Sequence, residues 1–268
     1  MVIDFHTHTY PDKIADRTVA FLAEKGSVTP YRAGTYDSLV ESMQADGIDY
    51  SVSLPVVTKP SQTESINRLS VEMNGKNNVF FAGGIHPDCD NVEEILDKVK
   101  EAGLFGIKIH PDYQGVYFDD LRYIRILKAA AERDLITVTH AGMDVGFRND
   151  IHCTPDMILN VFDKLSGIID NKLVLAHMGS FANTEETLEK LCGLPVYMDT
   201  AVMLEEQFLE GSLAIIRKHG ADRILFATDS PWAKQGEYAD VIRSLDLSAD
   251  EKELILHKNA EKLLHFNA

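Results

Sequence analysis

Eight short apolar, β-branched runs punctuate the chain, at 2–8, 50–57, 79–86, 105–110, 135–140, 172–177, 195–200 and 223–229. Runs of this length bounded by polar or turn-forming residues read as strands covered on both faces. Between them the apolar positions change to helical spacing. Over 91–103, Val92, Ile95, Leu96 and Val99 form a stripe that stops at a glycine. Thr154, Pro155 and Asp156 stand as N-cap, first-turn proline and first-turn acid ahead of Met157, Ile158, Val161, Phe162 and Leu165. Ser248-Ala249-Asp250-Glu251 has capping-box spacing and opens a last helix with Leu254, Ile255, Leu263 and Leu264.

Strands alternating with helices imply parallel strands joined by helical crossovers. Eight such units in 268 residues predict an α/β fold of the (β/α)8 TIM-barrel type. An open doubly wound sheet would place a glycine-rich turn after its first strand, where this chain has His-Thr-His-Thr-Tyr-Pro. No linker, low-complexity tract or composition break interrupts the pattern, so one domain is expected over 1–268.

A parallel barrel carries its chemistry at the C-terminal ends of its strands. Strict alternation along the first run predicts Asp4, His6 and His8 on the inner face and Ile3, Phe5 and Thr7 on the outer. The fifth, sixth and eighth runs end in His140, His177 and Asp229; the fourth offers Lys108 and then His110, the third His86. Burying ionisable groups unpaired is costly, and a divalent cation resolves the difficulty. Imidazoles with a carboxylate suit Zn2+ best, and Mn2+ or Fe2+ less strongly. One His-x-His carries little weight in a chain of ten histidines; its repetition at other strand ends carries much more.

"DFHTH" in the first run, His140, His177 and "ATDSPW" in the eighth together resemble the amidohydrolase superfamily. The likeness is nearest to the amidohydrolase-related group that includes aminocarboxymuconate-semialdehyde decarboxylase. It extends from Asp4 to the closing "NAEKLL". The resemblance implies a distorted barrel with His6, His8, His140 and Asp229 on the metal. It makes His177 a further ligand or a base, and favours one ion over two. In the binuclear branch a carboxylated lysine bridges two ions at the position of Lys108; here Lys108 is read as unmodified, meeting a carboxylate or an acidic substrate.

The expected activity is hydrolysis of an amide, lactone or ester in a small, acidic or cyclic substrate by metal-activated water, with Asp229 and His177 moving the protons. Non-oxidative decarboxylation is the alternative on the same constellation. TatD-type deoxyribonucleases share the His-x-His, a "GIHP" stretch and "TDSP", but would carry glutamate where Lys108 stands. A non-catalytic metal scaffold completes the set. Substrate contacts are expected from Arg148 in the long loop 141–153, from Lys108, His86 and His110, with Arg32 as a further candidate. Asp199 is read as hydrogen-bonding its neighbours.

The net charge of −16 argues against nucleic acid and an anionic membrane as partners, leaving a small molecule; a homodimer stays open. Three scattered cysteines suit a reducing cytoplasm.

Overall fold

The strand runs form in order, and the barrel closes. The computed structural model describes residues 1–266. Its strands are β1 (Ile3–Thr7), β2 (Tyr50–Ser53), β3 (Val79–Phe81), β4 (Gly83–Gly84), β5 (Gly106–Ile109), β6 (Ile136–Thr139), β7 (Leu173–Leu175), β8 (Tyr197–Asp199) and β9 (Ile224–Leu225). They pair in parallel as β1-β2-β3 and β4-β5-β6-β7-β8-β9. The third run is thus one stave in two pieces, with Ala82 N between them donating to Ser53 O at 3.1 Å. The ends of the ring join where Phe5 N meets Phe226 O (2.9 Å) and Asp229 N meets His6 O (2.8 Å). Eight staves therefore surround one interior, as the alternation of strands and helices predicts.

Two apolar layers follow. The interior is filled by Ile3, Phe5, Val52, Ile136, Val138, Val174, Tyr197 and Leu225, together with Leu263 of the last helix. The outer layer joins Ile107, Ile109, Leu173, Leu175 and Met198 to helix residues such as Leu96, Ile126, Ile158 and Ile242. The helix starts agree with the capping signals. Thr154 accepts from Met157 N at 3.3 Å, and Ser248 and Glu251 form a reciprocal box.

The layers correct one expectation. Ile3 and Phe5 face the interior, so Asp4 lies on the outer side, bonded to Thr228 Oγ1 (2.6 Å) and Gln235 Nε2 (2.8 Å). Asp4 pairs with Ser51 and Thr7 with Ser53, leaving one extra residue in β1. That bulge turns His6 inward although it is two residues from Asp4. A similar break occurs after β7. Leu173 and Leu175 face the helices, and alternation alone would send His177 outward; instead His177 and Met178 take φ of 58° and 52°. This left-handed turn swings His177 into the barrel mouth. Such conformations are uncommon outside glycine and collect at functional sites.

Candidate metal centre

At the mouth, four imidazoles converge, and their outward nitrogens show how they are oriented. His8 Nδ1 lies 2.8 Å from Leu54 O and His177 Nδ1 3.1 Å from Ala201 O. A carbonyl only accepts, so both Nδ1 atoms carry the hydrogen, and a neutral ring leaves Nε2 a bare lone pair. His6 Nδ1 donates to Asp199 Oδ2 at 2.8 Å with the same result. Asp199 is fixed in turn by the backbone N–H groups of His177 (2.9 Å) and Ala201 (3.1 Å), the neighbour-bonding role read for it in the sequence.

The bare atoms face one another. His6 Nε2 and His8 Nε2 are 3.2 Å apart, and Asp229 Oδ1 is 3.5 Å from the first and 3.0 Å from the second. Asp229 Oδ1 is buried without a hydrogen-bond partner. Two donors each about 2.1 Å from an ion stand roughly 3.0–3.4 Å apart, from right-angled to tetrahedral arrangements. The three separations fit one divalent ion held by His6, His8 and Asp229. Burial pushes Asp229 upward, but His6 and His8 beside it outweigh that and hold the carboxyl at about 2. Burial, with Lys108 nearby, holds His6 well below the usual imidazole range, leaving its lone pair free.

The five expected ligands divide into this triad and a pair. His140 Nδ1 donates to His177 Nε2 at 2.9 Å, and the His177 ring lies 5.5 Å from that of His6. Lys108 Nζ sits 3.4 Å from His6 Nε2 with its side chain 1% exposed. Burial pulls its ammonium down to about 8, against the opposing pull of Asp199 and Asp229.

Beside the pair lies a second group. His110 stacks on His140 with centroids 4.3 Å apart and planes 8° from parallel. His110 Nε2 is 3.4 Å from Asp144 Oδ2, and Asp112 Oδ2 is 3.9 Å from both His110 Nδ1 and His140 Nε2. His110, His140 and Asp144 are close enough to suggest another ion. The stack argues otherwise: an ion between two parallel rings would lie well outside both ring planes, away from their lone pairs. Tyr113 meets His110 edge-on at 4.8 Å and Phe147 at 5.0 Å, adding an aromatic wall.

Arg148 and His86 bond within their own segments. Arg148 is exposed, and its Nε donates to Val145 O at 3.2 Å in its own loop. His86 Nδ1 accepts from Asp88 N at 3.2 Å and bonds within its own turn. Conversely, Asp112 and Asp144 escaped the sequence reading. Their signal is proximity along the chain, two residues after His110 and four after His140.

The family model described as Amidohydrolase matches residues 3–266. No curated protein matches the chain in sequence. Among solved structures, it is similar to 2,6-dihydroxybenzoate decarboxylase from Rhizobium (17% identity, TM-score 0.70, covering 100% of this chain and 99% of that one). It is also similar to 5-carboxyvanillate decarboxylase from Novosphingobium aromaticivorans, complexed with manganese and 4-hydroxy-3-methoxy-5-nitrobenzoic acid (17%, 0.72, 99% and 96%). A third is Metarhizium anisopliae IDCase in apo form (20%, 0.70, 99% and 97%).

Proposed function

The chain belongs to the amidohydrolase family, and from that premise we propose that it is a metal-dependent decarboxylase of a small aromatic carboxylic acid. One observation carries the reading: His6 Nε2, His8 Nε2 and Asp229 Oδ1 face one another at 3.0–3.5 Å, with Asp229 Oδ1 buried and unpartnered and Lys108 Nζ 3.4 Å from His6 Nε2. These residues would hold the ion, with His140 and His177 alongside. Zn2+ is favoured by the imidazole-rich donor set and Mn2+ is the nearest competitor. When bound, a divalent ion supplies positive charge that orients and polarises an anionic substrate.

The remaining chemistry belongs to the chain. Lys108 is the one cation in the cluster among the described residues and balances a substrate carboxylate. Tyr113 and Phe147 form an aromatic wall beside a planar substrate, with one face of Phe147 covered by Lys25 Nζ at 3.3 Å from its ring centre. In the reaction the C–C bond to the carboxylate breaks, CO2 leaves, and the electron pair stays on the ring carbon, which takes a proton. His177, whose Nε2 faces inward and accepts from His140 Nδ1, is positioned to take a proton from solvent at Nε2. It hands that proton to the carbon and returns to its neutral Nδ1–H form, with Asp229 as the charged partner. The decarboxylases named among the similar structures support an aromatic acid as substrate.

Hydrolysis is a second reading, favoured by one observation. Asp229, held at about 2, is a proton acceptor at neutral pH and suits the activation of water. Protein loaded with Zn2+ or Mn2+ and offered hydroxybenzoates, lactones and amides separates the two. CO2 release from an aromatic acid, abolished by Asp229→Asn, is expected. Acid or amine release from lactones or amides with no CO2 from any acid would replace decarboxylation with hydrolysis.

A further inference from the structure

Three of the four imidazoles at the centre have an acceptor for the outward ring nitrogen: Asp199 for His6, Leu54 O for His8 and Ala201 O for His177. His140 does not. Its Nε2 is buried and unpartnered, and the nearest acceptor, Asp112 Oδ2 at 3.9 Å, is buried and unpartnered too. The two side chains belong to residues only 6% and 2% exposed. We propose that Asp112 is the positioning residue for His140, and that His140 changes tautomer when the metal centre is loaded. The proposal rests on the metal reading above.

The proton count makes the case. His177 Nδ1 must donate to a carbonyl, so its Nε2 is an acceptor and His140 Nδ1 carries the hydrogen between them. His140 Nε2 then presents a lone pair to a carboxylate oxygen, and two acceptors cannot bond. If His140 offers Nδ1 to an ion, the ring hydrogen resides on Nε2 and points at Asp112 Oδ2. One hydrogen leaves Nδ1 and one arrives on Nε2 through solvent exchange, with no net proton gained. Two unsatisfied buried atoms become a charge-assisted hydrogen bond, the usual arrangement around metal-bound histidine.

Asp112 Oδ2 has two imidazole nitrogens at 3.9 Å, His140 Nε2 and His110 Nδ1, and the geometry favours the first. Asp112 Oδ1 accepts from both His152 N and His152 Nδ1 at 3.1 Å, which fixes the carboxylate plane. His110 Nδ1 is equally near Oδ2, but His110 Nε2 faces Asp144 Oδ2 at 3.4 Å and directs the ring hydrogen there. Because His152 closes the loop 141–153, Asp112 also links that loop to the metal-side imidazoles.

Two measurements test this without reading activity. Titration calorimetry with Zn2+ and with Mn2+ compares the parent with Asp112→Asn, which keeps the side-chain shape. A 10- to 100-fold loss of affinity is expected, the usual cost of removing such an outer partner. Nitrogen-15 spectra of the histidine side chains of the parent follow His140, assigned with His140→Gln, without and with Zn2+. A change from an Nδ1–H to an Nε2–H pattern is expected, and this arm needs no folded Asp112 variant. Unchanged affinity in Asp112→Asn, or an Nδ1–H retained with Zn2+ bound, overturns the role of Asp112 and leaves the metal centre standing. Failure of the parent to bind either ion overturns both.

Discussion

Arg32 Nη2 donates to the carbonyl of His8 at 2.7 Å. The same guanidinium reaches Ser230 Oγ through Nε at 2.7 Å, and Ala33 O and Thr35 O through Nη1 at 3.0 and 3.2 Å. Its donors are therefore occupied by the protein, and it is no substrate contact. It joins the segment after β1, which carries His8, to the segment after β9, which carries Asp229. Among the described residues no carboxylate touches it, and burial lowers it to about 10. Arg32→Met is expected to lower the stability of the metal-free protein by about 1–3 kcal/mol, since charged hydrogen bonds to part-buried carbonyls on both segments are lost together. Arg32→Lys should restore little, because a single ammonium cannot span both segments. Urea unfolding measures both; a loss below about 0.5 kcal/mol for Arg32→Met would remove the bracing role.

Protons and a metal ion compete for the same lone pairs at a metal site. Asp229 is held at about 2, and burial with Lys108 nearby holds His6 well below the usual imidazole range, so both are bare before an ion arrives. Neither should therefore contribute to a dependence of metal affinity on pH near neutrality. Asp229→Asn should weaken Mn2+ binding at every pH by about 100-fold, and His6→Asn should also weaken it, each keeping the slope of log Kd against pH. Calorimetric titrations at three pH values check this; a slope that disappears with either substitution would show that the replaced group carries a competing proton.

Lys108 links the barrel interior to pH. Its value falls from 10.5 in the unfolded chain to about 8 in the folded one, chiefly through burial. Between those values the unfolded chain binds more protons, so the metal-free protein gains stability as pH rises through about 8 to 10.5. The full gain is on the order of 3 kcal/mol, from about 1.4 kcal/mol for each pH unit. Below about pH 8 both states are protonated and the penalty is constant. Lys108→Met should be more stable than the parent near neutrality, and the difference should shrink across this window. Parallel unfolding curves that keep a constant gap would show that Lys108 is not the titrating group.

Much of this was legible in the sequence because apolar periodicity and capping chemistry are local. The eight runs, the Thr154 cap and the Ser248 box each depend on residues within a few positions of one another. Inward placement of Lys108, His140 and Asp229 followed from simple alternation. Alternation failed where the backbone departs from regular strand. The extra residue in β1 put Asp4 outside and His6 inside, and the left-handed turn at His177 reversed its side. Neither a bulge nor a positive φ at a non-glycine residue has a reliable local signature. Asp112 and Asp144 went unread for another reason. Each follows the histidine of its own stave but meets that of the neighbouring one, Asp112 meeting His140 and Asp144 meeting His110, and the parallel pairing of β5 with β6 makes those contacts.

The closeness of His140 to His177 depends on a glycine. Two residues after His140, Gly142 has φ of 84°, and a Cβ placed there would stand 2.1 Å from Phe181 N and 2.6 Å from Ser180 C. The obstacle is backbone, which cannot rotate away as a side chain can. This packing is fixed by Phe181 N donating to Ala141 O at 2.9 Å and Gly142 N donating to Cys153 O at 2.8 Å. Gly167 provides the control, since its φ is 79° with nothing within 4 Å of a Cβ. Gly167→Ala should lose only the left-handed penalty, about 1–2 kcal/mol. Gly142→Ala adds a steric conflict and should lose at least about 2 kcal/mol more, because His140 and His177 sit on the two segments that must part. It should also weaken Mn2+ binding, whereas Gly167→Ala should leave binding unchanged. Equal losses in the two variants would mean that these segments separate freely, and that the 2.9 Å contact between the imidazoles is not fixed by the backbone beside them.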